Sequence, residues 1–290
     1  MKLPERPALA IATALCMLFV AACTPDAPPH VAVATPTVAP TTAPSRPPVA
    51  WTVAQPAPIV DEFLLYNPLY RSGQVTVVSC SLPTARLSNQ QALIRYATAY
   101  VACLNRSWAP LITRAGFDFL PPSAVLPAKP GATTACGAMD KEDFGMYCQT
   151  DRGIYFNWPE YVVKESSGQE EGRAWVQWLI GHEYGHHVQW LTGMADDYDA
   201  RYQAANGAAA EKVEENRNEM QAHCLAAAFF GPNRKTFHLH GERLSRYGHP
   251  GYDRTEADMV NFDHWLRQAF SKGPAGCITW AAPASSVTGV

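Results

Sequence analysis

The 290-residue chain is short of charge and has no surplus of positive charge: 17% of its residues are charged, 23 Lys and Arg stand against 26 Asp and Glu, and the formal net charge is −3. Soluble domains ordinarily carry about 25% charged residues. A nucleic-acid binder needs a basic patch, so a nucleic-acid partner is excluded. No C-x-x-C pair occurs among the 8 cysteines, which argues against a zinc–cysteine site. Internal repeats are absent, and beyond residue 22 no apolar run approaches the length of a membrane span. After residue 60 no Pro/Gly stretch is long enough to divide the chain. Residues 61–290 therefore read as one domain, large enough to bury a substantial core.

What is present in excess lies mostly at the start. Lys2 and Arg6 precede an apolar run from Ala8 to Ala22, with the charge and length of a secretory signal. It ends Val20-Ala21-Ala22-Cys23, which resembles the lipobox of bacterial lipoproteins. That resemblance implies cleavage after residue 22, lipidation of the Cys23 thiol, and an exported protein anchored at a cell membrane or surface. Residues 24–60 hold 10 of the 24 prolines and only two charges, Asp26 and Arg46. Polyproline backbone extends about 3.1 Å per residue, so residues 23–60 form a tether reaching up to roughly 100 Å.

With Cys16 in the signal and Cys23 at the anchor, Cys80, Cys103, Cys136, Cys148, Cys224 and Cys277 remain. An even set in an exported protein favours three disulfides. Proximity favours Cys136 with Cys148 and Cys80 with Cys103, leaving Cys224 with Cys277. Cys224 lies in an Ala/Phe-rich stretch and also fits a small buried hydrophobe.

Four helices are predicted. Ser88 and Gln91 make a capping-box start to the first, which carries Leu93, Ala97, Leu104, Trp108 and Leu111 at helical spacing as far as Gly116. The second runs from about Glu170 to Leu191, the third from about Ala209 to Phe230 with Gly231-Pro232 as its stop, and the fourth from about Thr255 to Ser271. Between the first two lies a Pro-punctuated, irregular region. Met146 to Asn157, turning at Asp151-Arg152-Gly153, reads as a short β-hairpin.

The second helix contains His182-Glu183-Tyr184-Gly185-His186. Positions i and i+4 share a helical face, so both imidazoles can address one Zn2+ while Glu183 is displaced toward a catalytic water. Zinc hydrolases usually use three protein ligands and keep a fourth position open. A metzincin would have Gly and His where this chain has Gln189 and Thr192, and that class is excluded. The third ligand is then sought on the third helix, where Glu219 shares a mostly apolar face with His223, Ala226 and Phe230. Helical geometry permits either Glu219 or His223.

The stretch from His182 to Gln189, followed by Arg217-x-Glu219-x-Gln221-Ala222-x-Cys224-Leu225-Ala226, resembles a bacterial family of neutral zinc metallopeptidases. The likeness extends to Cys136-Gly137, to Tyr147-Cys148-x-x-Asp151-Arg152 before Ile154-Tyr155, and to Gly276-Cys277. It implies an α+β, zincin-like domain, mainly helical, with a small sheet or hairpin beside the active-site helix. It further implies one zinc ion held by His182, His186 and Glu219, with Glu183 as general base in peptide-bond hydrolysis. The family has Asp where this chain has His223, and in related zincins that Asp orients a zinc-binding His. Neutral His223 replaces part of that role without the negative charge. A peptide or protein substrate follows from this reading. The competing reading is a surface-tethered binding or chaperone module that keeps the fold but has little or no turnover.

Further expectations concern the surroundings of the site. His187 is turned about 100° from His186 and is read as a supporting or packing residue. Oxyanion donors are sought among His240, Tyr247 and His249, in a polar segment after the third helix. If the hairpin flanks the cleft, its free edge can pair with an extended peptide.

Overall fold

The computed structural model describes residues 61–140, 143–166, 169–239 and 255–290, all within one unit, Ala54–Val290. The signal-like segment, Cys23, the tether to residue 60, and His240, Tyr247 and His249 lie outside the described residues.

A short helix α1 (Glu62–Leu65) and a 3-10 turn (Pro68–Arg71) lead to α2 (Gln90–Arg114). The N-cap of α2 is Asn89 rather than Ser88: the Asn89 backbone is extended, and its side chain accepts the Ala92 N–H at 3.0 Å. The segment that reads as irregular holds β1 (Ala124–Ala128), with Pro127 tolerated because the strand has a neighbour on one side only. It also holds a two-strand ladder, β2 (Thr133–Thr134) with β3 (Gly137–Ala138).

Strands β4 (Gly145–Cys148) and β5 (Gly153–Asn157) form the expected antiparallel hairpin, with Tyr147 opposite Ile154. Arg152 takes a left-handed conformation at its turn (φ 57°), and Asp151 accepts from the Gly153 N–H and the Tyr155 hydroxyl. β1 adds to β5 in parallel, so the sheet order is β1-β5-β4 and β4 lies at an edge.

Five helices follow: α3 (Trp158–Ser166), α4 (Gln169–Leu191), α5 (Met194–Ala204), α6 (Ala208–Asn233) and α7 (Glu256–Lys272). α1, α3 and α5 are additional to the four predicted. In α5 only Met194 is buried, so it carries almost no apolar stripe to signal it. Gly231-Pro232 does not stop α6, which continues to Asn233. Gly231 instead permits a close approach to α7: a Cβ there would lie 2.6 Å from the Phe270 carbonyl oxygen. Thr255 and Asp258 form a capping box at the start of α7.

The domain is mainly helical with a small sheet, an α+β arrangement. α4 is central, packed by α2, α3, α5, α6 and β4. It is therefore buried around its circumference from Ala174 to Gly185. Beside it, the Tyr100 ring packs against Phe229, Phe230 and Phe237.

Three cysteine pairs stand at disulfide distance. Their Cα separations are 5.7 Å for Cys80–Cys103, 5.6 Å for Cys136–Cys148 and 5.5 Å for Cys224–Cys277. The last joins α6 to the segment after α7. Among the described residues, no helix is long and apolar enough to cross a membrane.

Candidate metal centre

Small residues bring α4 and α6 together. Gly181 and Gly185 on α4 face Ala226 and Ala222 on α6, and this close seam places the α6 carboxylate within reach of the α4 imidazoles. His182 Nε2 lies 3.1 Å from Glu219 Oε2, His186 Nε2 lies 3.5 Å from Glu219 Oε1, and the two Nε2 atoms are 3.1 Å apart. One ligand atom from each of these residues lies within 4.8 Å of the others. Two imidazole nitrogens and a carboxylate oxygen are the donor set of a three-ligand hydrolytic zinc site, so the residues present fit the ion.

His223 lies outside this trio. Its ring packs on His182, with centroids 4.1 Å apart, and is flanked by Trp178 and Phe262. It thus occupies a supporting position beside one imidazole, where the resemblance leads one to look for Asp.

Glu183 is buried beside the trio. Burial raises its carboxyl above the ordinary range, against the opposing pull of His182 and His186 and of a backbone N–H from Tyr147 on β4. Gly145 on the same strand leaves room for it, since a Cβ there would lie 2.8 Å from Glu183 Oε1. Without a cation the trio behaves as a paired acid and base. Burial opposes charge on His186, but Glu219 outweighs it and raises the imidazole to about 9. Burial likewise opposes charge on Glu219, yet the two imidazoles hold its carboxyl well below the usual value.

His187 points away from the trio and ties α4 to its surroundings. Its Nε2 faces the Leu120 carbonyl oxygen at 2.8 Å, which requires Nε2–H as donor, and its Nδ1 accepts the Tyr147 hydroxyl at 2.9 Å. Burial keeps it neutral, lowering its pKa to about 4. This is a packing role that also anchors edge strand β4.

The trio lies where two arms of an open cleft meet. One arm, about 520 Å³, runs past Met146, Gln149, Trp190, Tyr198 and Asp199. The other, about 710 Å³, runs past Phe144, Trp178, His223, Asp258 and Val290. Both are lined by His182, Glu183 and Glu219.

Sequence reasoning missed the residues around this set. Gln189 entered only as a departure from the metzincin glycine and as the end of the first motif, yet its Oε1 lies 2.8 Å from His186 Nδ1. Its i+3 spacing from His186 was the available signal. Arg217, part of the second motif, pairs with Glu214 and donates to the Ala282 carbonyl at 3.1 Å, fastening α6 to the C-terminal segment.

The family described as "Putative neutral zinc metallopeptidase" matches residues 68–241, more than half of the chain. Among curated proteins, Uncharacterized protein Rv2575 of Mycobacterium tuberculosis (strain ATCC 25618 / H37Rv) is 35% identical over 97 residues, covering 33% of this chain and 31% of that protein. Uncharacterized protein YpfJ of Escherichia coli (strain K12) is 25% identical over 141 residues, 49% of this chain and 48% of that protein. The matched region thus spans half or less of these relatives. No solved structure matches the chain. By the extent of the family match, the chain belongs to this family of neutral zinc metallopeptidases.

Proposed function

We propose that the chain is a zincin-like zinc peptidase, exported and tethered to a membrane through a lipid on Cys23, that hydrolyses peptide bonds in peptide or protein substrates. The observation that carries the catalytic reading is the His182, His186, Glu219 cluster with buried Glu183 beside it, at the junction of two cleft arms. The tether rests on the signal-like run, the lipobox-like ending at Cys23 and the proline-rich stretch.

His182, His186 and Glu219 hold the ion. Zinc, when bound, supplies Lewis acidity toward a scissile carbonyl and acidifies water. Glu183 takes the proton of the attacking water and delivers it to the leaving amine, a role favoured by a carboxyl whose burial raises its basicity. Edge strand β4, lining one arm with Met146 and Tyr147, offers backbone groups to an extended substrate.

The test is metal analysis of the purified protein with a peptide-library digest before and after chelation. Stoichiometric zinc and cleavage that chelation abolishes and added zinc restores are expected. Cleavage indifferent to chelation contradicts the proposal.

A further inference from the structure

We propose that Gln189 is the positioning residue of the metal centre, the last link of a buried, one-way chain of hydrogen bonds that commits His186 to present Nε2 to the ion. The inference rests on the metal-site reading above but not on turnover.

Backbone carbonyls, which can only accept, set the direction of this hydrogen-bond chain. Tyr70 Oη lies 2.9 Å from the Leu64 carbonyl oxygen, so the phenol donates there and accepts elsewhere. Gln221 Nε2 lies 3.0 Å from the Cys277 carbonyl oxygen and 2.8 Å from Tyr70 Oη, so both its amide hydrogens are used and its Oε1 must face the other way. That Oε1 accepts from Gln189 Nε2 at 3.0 Å, and the second hydrogen of the Gln189 amide goes to the Asn218 carbonyl oxygen, also at 3.0 Å. Gln189 Oε1 is left facing His186 Nδ1 at 2.8 Å. An amide oxygen can only accept, so His186 Nδ1 carries a hydrogen, and Nε2, facing Glu219 and His182, is the nitrogen left for the ion once its own proton is displaced.

Tyr70, Gln189 and Gln221 are all buried. Rotating either glutamine amide would set nitrogen against a donor and oxygen against a carbonyl, leaving buried groups unsatisfied. The chain therefore locks both amides and one tautomer together. Its far end is the Cys277 backbone, covalently joined to α6 through Cys224.

The two imidazoles are supported differently. His182 Nδ1 has no protein hydrogen-bond partner among the described residues, and its ring stacks on Trp178 and packs at a tilt against His223. The orienting hydrogen bond is made to His186 and its acceptor is a neutral amide. Outer partners of metal-binding His residues fix ring orientation and tautomer, and their loss typically costs about 10- to 100-fold in metal affinity or activity.

The experiment measures zinc affinity by competition with a chromophoric chelator, together with thermal stability, for the wild type, Gln189→Leu and Gln189→Glu. Gln189→Leu removes the acceptor, and zinc affinity should fall about 10- to 100-fold. Gln189→Glu restores an acceptor for His186 Nδ1 but sets a carboxylate against the Asn218 carbonyl and Gln221 Oε1. It should regain at least wild-type zinc affinity while melting at a lower temperature in the metal-free form. A merely structural role predicts that affinity follows stability in both variants. Wild-type affinity in Gln189→Leu, no recovery in Gln189→Glu, or no zinc uptake by the wild type each overturns the inference. Tight zinc binding without peptide cleavage contradicts the peptidase reading and leaves this one standing.

Discussion

Gly185 on α4 lies directly against Ala222 on α6. A Cβ built on the glycine would sit 2.8 Å from the Ala222 Cα and closer still to its carbonyl oxygen. Both contacts are with backbone, so one helix must move. Gly185→Ala should cost about 1–3 kcal/mol through overpacking. It should also separate Glu219 from the imidazoles, so zinc content falls even in protein that remains folded. Thermal melts and metal analysis of Gly185→Ala read both effects.

His223 and Glu219, one helical turn apart on α6, should differ in what their removal does to zinc binding. Glu219→Ala deletes a ligand atom and is expected to abolish stoichiometric zinc. His223→Ala removes the ring packed on His182 and should weaken binding by about 10- to 100-fold without abolishing it. Loss of metal in His223→Ala alone would reverse the assignment of the third ligand.

The Cys224–Cys277 link closes a separation of 53 residues. In the chain-entropy picture its removal costs about 4 kcal/mol. Cys224→Ala with Cys277→Ala should lower the melting temperature more than Cys136→Ala with Cys148→Ala, whose separation is 12 residues.

Zinc and protons compete for His186. In the metal-free protein its pKa is raised to about 9 from an ordinary 6.5. The stability this proton contributes is present in full below pH 6.5 and is lost as pH rises through 9. Zinc must displace that proton, so affinity rises over the same window. Melting in chelator should decline from pH 6.5 to 9, while the increment produced by saturating zinc grows. An increment that shrinks with rising pH contradicts the pairing of His186 with Glu219.

The legible parts of the molecule were those written into local spacing. His182, Glu183 and His186 are set by one helix, whereas spacing on the later helix left Glu219 and His223 open and the family resemblance pointed to Glu219. Asp151-Arg152-Gly153 marks a hairpin because that turn is local. β1 was not legible, since its short run contains Pro127 and pairs with a strand 29 residues later in register, Ala124 with Gly153. α5 has almost no buried face to betray it. Gln189 was visible as a residue but not as a partner, because the direction of its amide is decided by the carbonyls of Asn218 on α6 and, through Gln221, of Cys277 beyond α7.

The central claim is that this chain cleaves peptide bonds with Glu183 as its proton carrier. The most direct measurement compares zinc-loaded wild type and Glu183→Gln on the same peptide library, with zinc content determined for both. Equal zinc and a loss of at least about 100-fold in kcat for the variant are predicted. Equal cleavage by the two proteins, or no cleavage by fully zinc-loaded wild type, would contradict the account.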